Sequence, residues 1–235
     1  SRARSGALGL TARRPRGAMA TAAPPRGDAI LLHADLDGFY AQVEARRLGL
    51  DASVAAIGVL QWDSLIALSY PAKGCGVRRG MSSAEAQRLC PQITLAHVEV
   101  IFTSGEVVED LVAYERRTGR RPRGECKASL SRYREASAEV FDALGRELPE
   151  CVERASIDEA YVDASAAAEA LRGRAKADGS AIGTVAGGGA RDEWAIVGGA
   201  AGIGAADEPL LRGALVAERL RAVVREKTGF TMSVG

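Results

Sequence analysis

Three acidic positions form a set able to do chemistry: Asp35, which stands two residues before Asp37, and the adjacent pair Asp158 and Glu159. Carboxylates gathered in one place repel one another unless a cation sits among them. A few carboxylates with open positions between them suit two Mg²⁺ ions about 3.5–4 Å apart, which activate an attacking hydroxyl and stabilise a leaving pyrophosphate. No side chain in the sequence is an obvious general base, so such ions would carry the reaction. Isolated acids in turns are ordinarily solvated, so Asp35 and the Asp158–Glu159 pair make a centre only if their strands are neighbours.

The elements that must position them can be read from spacing. Residues 29–34 are an apolar run of strand length that delivers Asp35 at its C-terminal end, and residues 39–47 read as a helix. Two β-rich runs, 54–60 and 65–70, joined by Gln61-Trp62-Asp63-Ser64, predict a hairpin. Gly74, Gly76 and Gly80 mark a loop that carries Lys73, Arg78 and Arg79. Ser82-Ser83-Ala84-Glu85 has the form of a capping box and opens a helix that Pro91 stops. Residues 103–128 are polar, with Arg116, Arg117, Arg120, Arg121 and Arg123, and are expected to be an insertion or a long solvated loop. Leu130, Tyr133, Ser137, Val140, Phe141, Leu144 and Leu148 keep helical spacing, with Ser129 available as N-cap. Strands are expected at 151–155 and 160–163, on either side of Ser156-Ile157-Asp158-Glu159. Residues 164–206, rich in Ala and Gly, are expected to be a second insertion; a helix at 210–227 and a final strand at 231–235 follow. This order predicts the α+β class, with helices on an antiparallel or mixed sheet.

Composition narrows the rest. A chain of 235 residues with 47% hydrophobic and 26% charged residues has material for one sizeable domain or two small ones. The net charge of +1 gives no overall attraction to nucleic acid, so any such surface is local. The four cysteines form no CxxC pair and only two histidines accompany them, which argues against zinc and predicts reduced intracellular thiols. No apolar run reaches the roughly 18–20 residues that span a bilayer. Residues 1–27 hold six arginines and no acid, with no methionine before Met19, and read as a disordered basic leader, either translated upstream sequence or a transit peptide.

Four blocks carry a resemblance: His33-Ala-Asp-Leu-Asp-Gly-Phe-Tyr-Ala-Gln-Val-Glu44, Ser69-Tyr-Pro-Ala-Lys-Gly-Cys-Gly-Val77, Tyr133-Arg-Glu-Ala-Ser137 and Glu153-Arg-Ala-Ser-Ile-Asp-Glu-Ala-Tyr-Val-Asp163. In this order they resemble the Y-family (UmuC-like) translesion DNA polymerases, over residues 28–163 and more weakly over 208–235. The resemblance implies a polymerase palm at 28–40 and 97–235, interrupted by the insertions 103–128 and 164–206, and small fingers at 41–96. It also implies that a thumb and a little finger, which grip duplex DNA, are absent from these residues.

Carried over by motif, the metal ligands are Asp35, Asp158, Glu159 and the backbone carbonyl of Leu36, with Asp37 structural. Two Mg²⁺ are implied, with Mn²⁺ as a possible substitute. Phe39 and Tyr40 fall in the nucleotide-binding turn, Tyr40 at the position that excludes a ribose 2′-hydroxyl. Tyr70, Lys73 and Arg79 match residues that hold the triphosphate and reach over the base, and Gln61 matches a contact to the template base. Two departures accompany these matches. Many relatives carry arginine at the position of Lys73, and lysine keeps the charge without the bidentate fork. The Gly-rich stretch that some branches carry after the tryptophan is absent here. The implied partners are primer–template DNA and deoxynucleoside triphosphates, with a sliding clamp bound through C-terminal regions outside this chain, no membrane, and a nuclear location. The implied activity is templated insertion opposite damaged bases. The alternatives are a catalytically incompetent palm-and-fingers fragment and a palm-fold nucleotide cyclase, against which the Tyr40 gate argues.

Overall fold

The strand that carries the first acid, β1 (Leu31–Leu36), buries Leu32, Ala34 and Leu36 on one face. The period of two therefore puts Leu31, His33 and Asp35 on the other face. The computed structural model describes residues 29–120, 122–171 and 208–235; the predicted leader 1–27 and all but the start of the predicted 164–206 insertion lie outside them. After β1 come α1 (Phe39–Leu48), β2 (Ile57–Gln61), β3 (Ser64–Leu68), α2 (Tyr70–Gly74), α3 (Ser83–Leu89), β4 (Thr94–His97), β5 (Val100–Phe102), β6 (Val107–Val108), α4 (Leu111–Thr118) and β7 (Cys126–Ala128). Then follow α5 (Ser131–Glu147), β8 (Val152–Arg154), β9 (Glu159–Asp163), α6 (Ser165–Glu169), α7 (Glu208–Thr228) and β10 (Met232–Val234). The class is α+β, as the sequence predicts.

The largest sheet runs β10-β1-β9-β8, and all its pairs are antiparallel. One face packs on α5 and α7. Leu32, Ala34, Leu36, Ala160, Val162 and Met232 of the strands meet Tyr133, Val140 and Leu144 of α5 and Val216, Leu220 and Val224 of α7 in one core. The buried face of α5 is the one its spacing predicts, with Tyr133, Ala136, Ser137, Val140, Ala143 and Leu144 inside. Its start differs slightly: Leu130 takes the cap position, and the Ser129 hydroxyl accepts the Ser131 N–H at 3.3 Å.

A second sheet runs β3-β2-β4 and has its own core, in which Leu60, Leu65, Leu68, Ala72, Val77, Ala86 and Cys90 meet. The predicted hairpin is present but shorter, because Tyr70 leaves the strand and opens α2. Ser69 caps that helix by accepting the Ala72 N–H, and a proline stands in its first turn, both helix-starting signals that outweigh the β-rich run before them. The capping box at Ser82 closes in both directions, as its spacing predicts. β4 pairs parallel with β2 and is absent from the predicted order. Its four residues carry no alternation, and their partner lies more than thirty positions away.

Residues 103–128, expected as an insertion or long solvated loop, are not a loop: they hold folded elements. β5, β6 and β7 form a third sheet, and α4 starts at the Asp110 N-cap and ends at Gly119 in the left-handed region. Leu111 and Tyr114, three apart, bury the inner face of α4, while the arginines that dominate the composition lie on the solvent side. Similarly, the first residues of 164–206 fold as α6, held to α7 where Arg212 donates to the Ala168 carbonyl at 3.2 Å and pairs with Glu169 at 2.8 Å.

Candidate active site

The register of β1 against β9 sets Asp35 directly opposite Glu159. Asp158, one residue before β9, is tied in through its carbonyl, which accepts the Leu36 N–H at 3.0 Å. Asp35 therefore sits inside its strand rather than after it. The Asp35 carboxyl is pushed above the ordinary aspartate range, first by lost hydration and then by the charges of Asp158 and Glu159. The turn that carries the pair is held by hydroxyls. Ser156 donates to Asp158 Oδ1 at 2.7 Å while accepting the N–H groups of Asp158 and Glu159 at 3.2 and 3.1 Å. Arg154 donates to the Ser156 carbonyl and to Ser137 Oγ, and Ser137 in turn donates to the Ile157 carbonyl.

The next turn of chain swings from β1 into α1 at Gly38. Its φ of +52° favours glycine, and a Cβ there would lie 2.9 Å from the Leu68 carbonyl oxygen. The Ala41 and Gln42 N–H groups turn back to the Gly38 carbonyl, while those of Phe39 and Tyr40, at the start of α1, have no upstream helical carbonyl to meet, which suits them to anionic oxygens. The Phe39 ring is buried against Phe230, so only its backbone is left for a ligand. Tyr40 stacks on Tyr133, with ring centroids 4.0 Å apart and planes 10° from parallel. Tyr133 is itself anchored: its hydroxyl donates to Glu44 Oε1 at 2.7 Å, and the fully buried Glu44 also pairs with Arg47 and Arg132. Burial and then the charge of Asp158 raise the Tyr40 pKa, against weaker opposing effects from Arg134 and Arg79.

Opposite the acids, Tyr70 is half exposed, its hydroxyl is 3.5 Å from Asp37 Oδ1, and Lys73 Nζ lies 4.8 Å over its ring. Asp37 also accepts the Ser233 hydroxyl at 2.7 Å. Gln42 clamps the same turn, donating to the carbonyls of Asp37 and Thr231. Gln61 is not brought into this group by any hydrogen bond or ion pair among the described residues. It ends β2 opposite Ser64, beside Trp62, whose N–H donates to His97 Nε2 at 2.6 Å.

Sequence reasoning places the acids, Tyr40, Tyr70, Lys73 and Arg79 as candidates and misses Arg134, Ser137, Arg154 and Ser156. All four lie inside the motif blocks, so the signal was present without a role attached. Among the described residues, no three His, Cys, Asp or Glu side chains are gathered closely enough to form a ready cation site. Asp158 is drawn to Ser156, and Glu159 Oε1 stands 3.9 Å from His33 Nε2. The donor chemistry nevertheless fits a hard divalent cation, since carboxylate oxygens are its preferred ligands and neighbouring carboxylates repel until one binds.

The chain belongs to the impB/mucB/samB family, whose model matches residues 34–235. DNA polymerase eta of Arabidopsis thaliana is 39% identical over 158 residues, 65% of this chain and 20% of that protein. DNA polymerase eta of Saccharomyces cerevisiae is 34% identical over 143 residues, 57% of this chain and 22% of that protein. N-acetyltransferase eso1 of Schizosaccharomyces pombe is 36% identical over 135 residues, 57% of this chain and 14% of that protein. The chain spans about a fifth of the length of the two eta relatives, so their names describe much larger proteins. No described helix is long and apolar enough to cross a membrane.

Proposed function

We propose that this chain carries the nucleotide-transferring centre of a DNA-directed DNA polymerase that inserts deoxynucleotides opposite damaged template bases. The supporting observation is the cross-strand register that sets Asp35 against Glu159, next to Asp158, with the Tyr70 hydroxyl 3.5 Å from Asp37 Oδ1 at the end of the same strand. Membership of the impB/mucB/samB family and the polymerase names of its relatives point the same way.

Asp35, Asp158, Glu159 and the Leu36 carbonyl would hold two Mg²⁺, with Mn²⁺ as substitute. When bound, the ions would supply an activated primer 3′-hydroxyl and charge neutralisation on the departing pyrophosphate. Lys73, the Tyr70 hydroxyl and the first N–H groups of α1 bind the triphosphate, and Arg79 reaches over it. Tyr40, backed by the Tyr133 ring, closes the space a 2′-hydroxyl needs. Gln61 supports the template base from the minor groove, where an amide reads little sequence. Residues 28–40 and 97–235 serve as palm and 41–96 as fingers. The DNA partner, a clamp and a nuclear location belong to the same reading.

Primer extension tests it. Template-directed extension that requires a divalent cation and rejects ribonucleotides is expected of a protein that carries this chain with the segments its relatives possess. Cyclisation of ATP without a template would overturn the reading. A second reading is of a palm-and-fingers segment that binds nucleotide without extending a primer. It predicts nucleotide binding by these 235 residues with no extension.

A further inference from the structure

The second sheet's core contains a pair of thiols that the nucleotide chemistry does not use. Cys75 caps the end of α2 and Cys90 the end of α3, and their sulfurs are 3.0 Å apart. Cys90 is fully buried, whereas Cys75 is half-buried with the Gln92 amide 3.6 Å from its sulfur. All four cysteines are free thiols.

We infer that Cys75 and Cys90 form a peroxide-sensitive dithiol that closes reversibly to a disulfide. The sulfurs need to approach by about 1 Å to reach the ~2.05 Å bond, a movement within reach of side-chain rotation at two helix ends. The order of events follows from exposure. The Cys75 thiolate attacks one oxygen of hydrogen peroxide; the O–O bond breaks, leaving a Cys75 sulfenic acid and a hydroxide that takes the thiol proton to become water. The Cys90 sulfur then attacks the sulfenic sulfur, the S–O bond breaks, and the hydroxyl leaves with the Cys90 proton as a second water. Two thiols are oxidised by two electrons and one peroxide is reduced to two waters. Burial pushes the Cys90 thiol up to about 11, which disfavours it as the first attacker and leaves that step to the more exposed Cys75. The bond joins the end of the helix that carries Tyr70 and Lys73 to the end of α3, so it would fix the position of α2.

The test needs no polymerase activity. The folded protein is treated with hydrogen peroxide, denatured and alkylated, and its peptides are mapped by mass. The expected result is that two of the four thiols escape alkylation, that one cross-linked peptide joins Cys75 to Cys90, and that dithiothreitol returns both. Cys75→Ser is expected to leave Cys90 fully alkylatable. Alkylation of all four thiols after peroxide, conversion of Cys75 to sulfinic acid with Cys90 still alkylatable, or a bond to Cys126 or Cys151 would each overturn the inference. Cys90→Ser would set a hydroxyl in an apolar core, so Cys90→Ala is used beside it, and the unsubstituted chain decides without either.

Discussion

Asp35 and Glu159 face each other because two antiparallel strands hold them in one register, whereas Lys73 and Arg79 stand on a five-residue helix and the loop beyond it, on long side chains. The acids sit on backbone that is hydrogen-bonded on both sides, since β1 lies between β9 and β10. The cations belong to segments that pack on a different sheet with a separate core. Charge that must be placed within a fraction of an ångström is carried on short side chains from paired strands, and charge that only needs to reach an anion is carried on flexible ones. If the proposed function holds, substitutions in the first region should damage the rate, and those in the second should damage nucleotide affinity.

The sharpest way to break that contrast is Asp158→Asn, which keeps the size of the side chain and removes its charge. A loss of primer extension of about 10³-fold or more is expected, with circular dichroism unchanged. Near-normal extension would remove the two-metal assignment. Ser156→Ala comes next. It deletes the hydroxyl that orients Asp158 and accepts two backbone N–H groups, so the divalent-cation concentration for half-maximal activity should rise about 10–100-fold. An unchanged cation requirement would show that the strands alone position the pair. Lys73→Ala is milder and different in kind: the KM for the nucleotide should rise about tenfold while kcat stays within a few-fold, from loss of one charge-assisted contact. A kcat effect larger than the KM effect would erase the proposed division between the regions.

Much of the acidic region was legible, because an apolar run announces β1 beside Asp35 and an alternating run announces β9 beside Asp158 and Glu159. The cross-strand register of Asp35 with Glu159 was not, since residues more than a hundred positions apart meet only through tertiary packing. The hydroxyl scaffold was hidden for the same reason: Ser137 reaches Ile157 only because α5 lies against the turn before β9. In the second region, the hairpin and the Ser82 box were legible from local chemistry. The parallel strand β4 was not, and α4 was masked by its arginines, although Asp110 in front of Leu111 is an ordinary start signal.

The smallest expected effect separates the two sheets by pH. His97 ends β4, is buried, and accepts the Trp62 N–H on Nε2, so the ring proton sits on Nδ1 and is donated to the Val98 carbonyl at 2.6 Å. Burial, the dominant cause, lowers its pKa below the ordinary histidine value, against weaker opposing effects from Val98 and Asp110. Below about pH 6.5 the unfolded chain binds a proton that the folded chain resists, so stability is whole above that value and falls as the pH drops toward the lowered folded pKa. Protonation would also cost the Trp62 hydrogen bond, since a charged imidazole has no acceptor left. Lowering the pH from about 7.5 to about 5 should therefore depress Tm and speed amide exchange at Trp62 ahead of exchange in β1 and β9. His97→Gln retains an acceptor without the titration and should flatten that slope. If exchange in β1 and β9 rises in step with Trp62, the two regions unfold as one unit, and separate tuning of acids and cations has no structural basis.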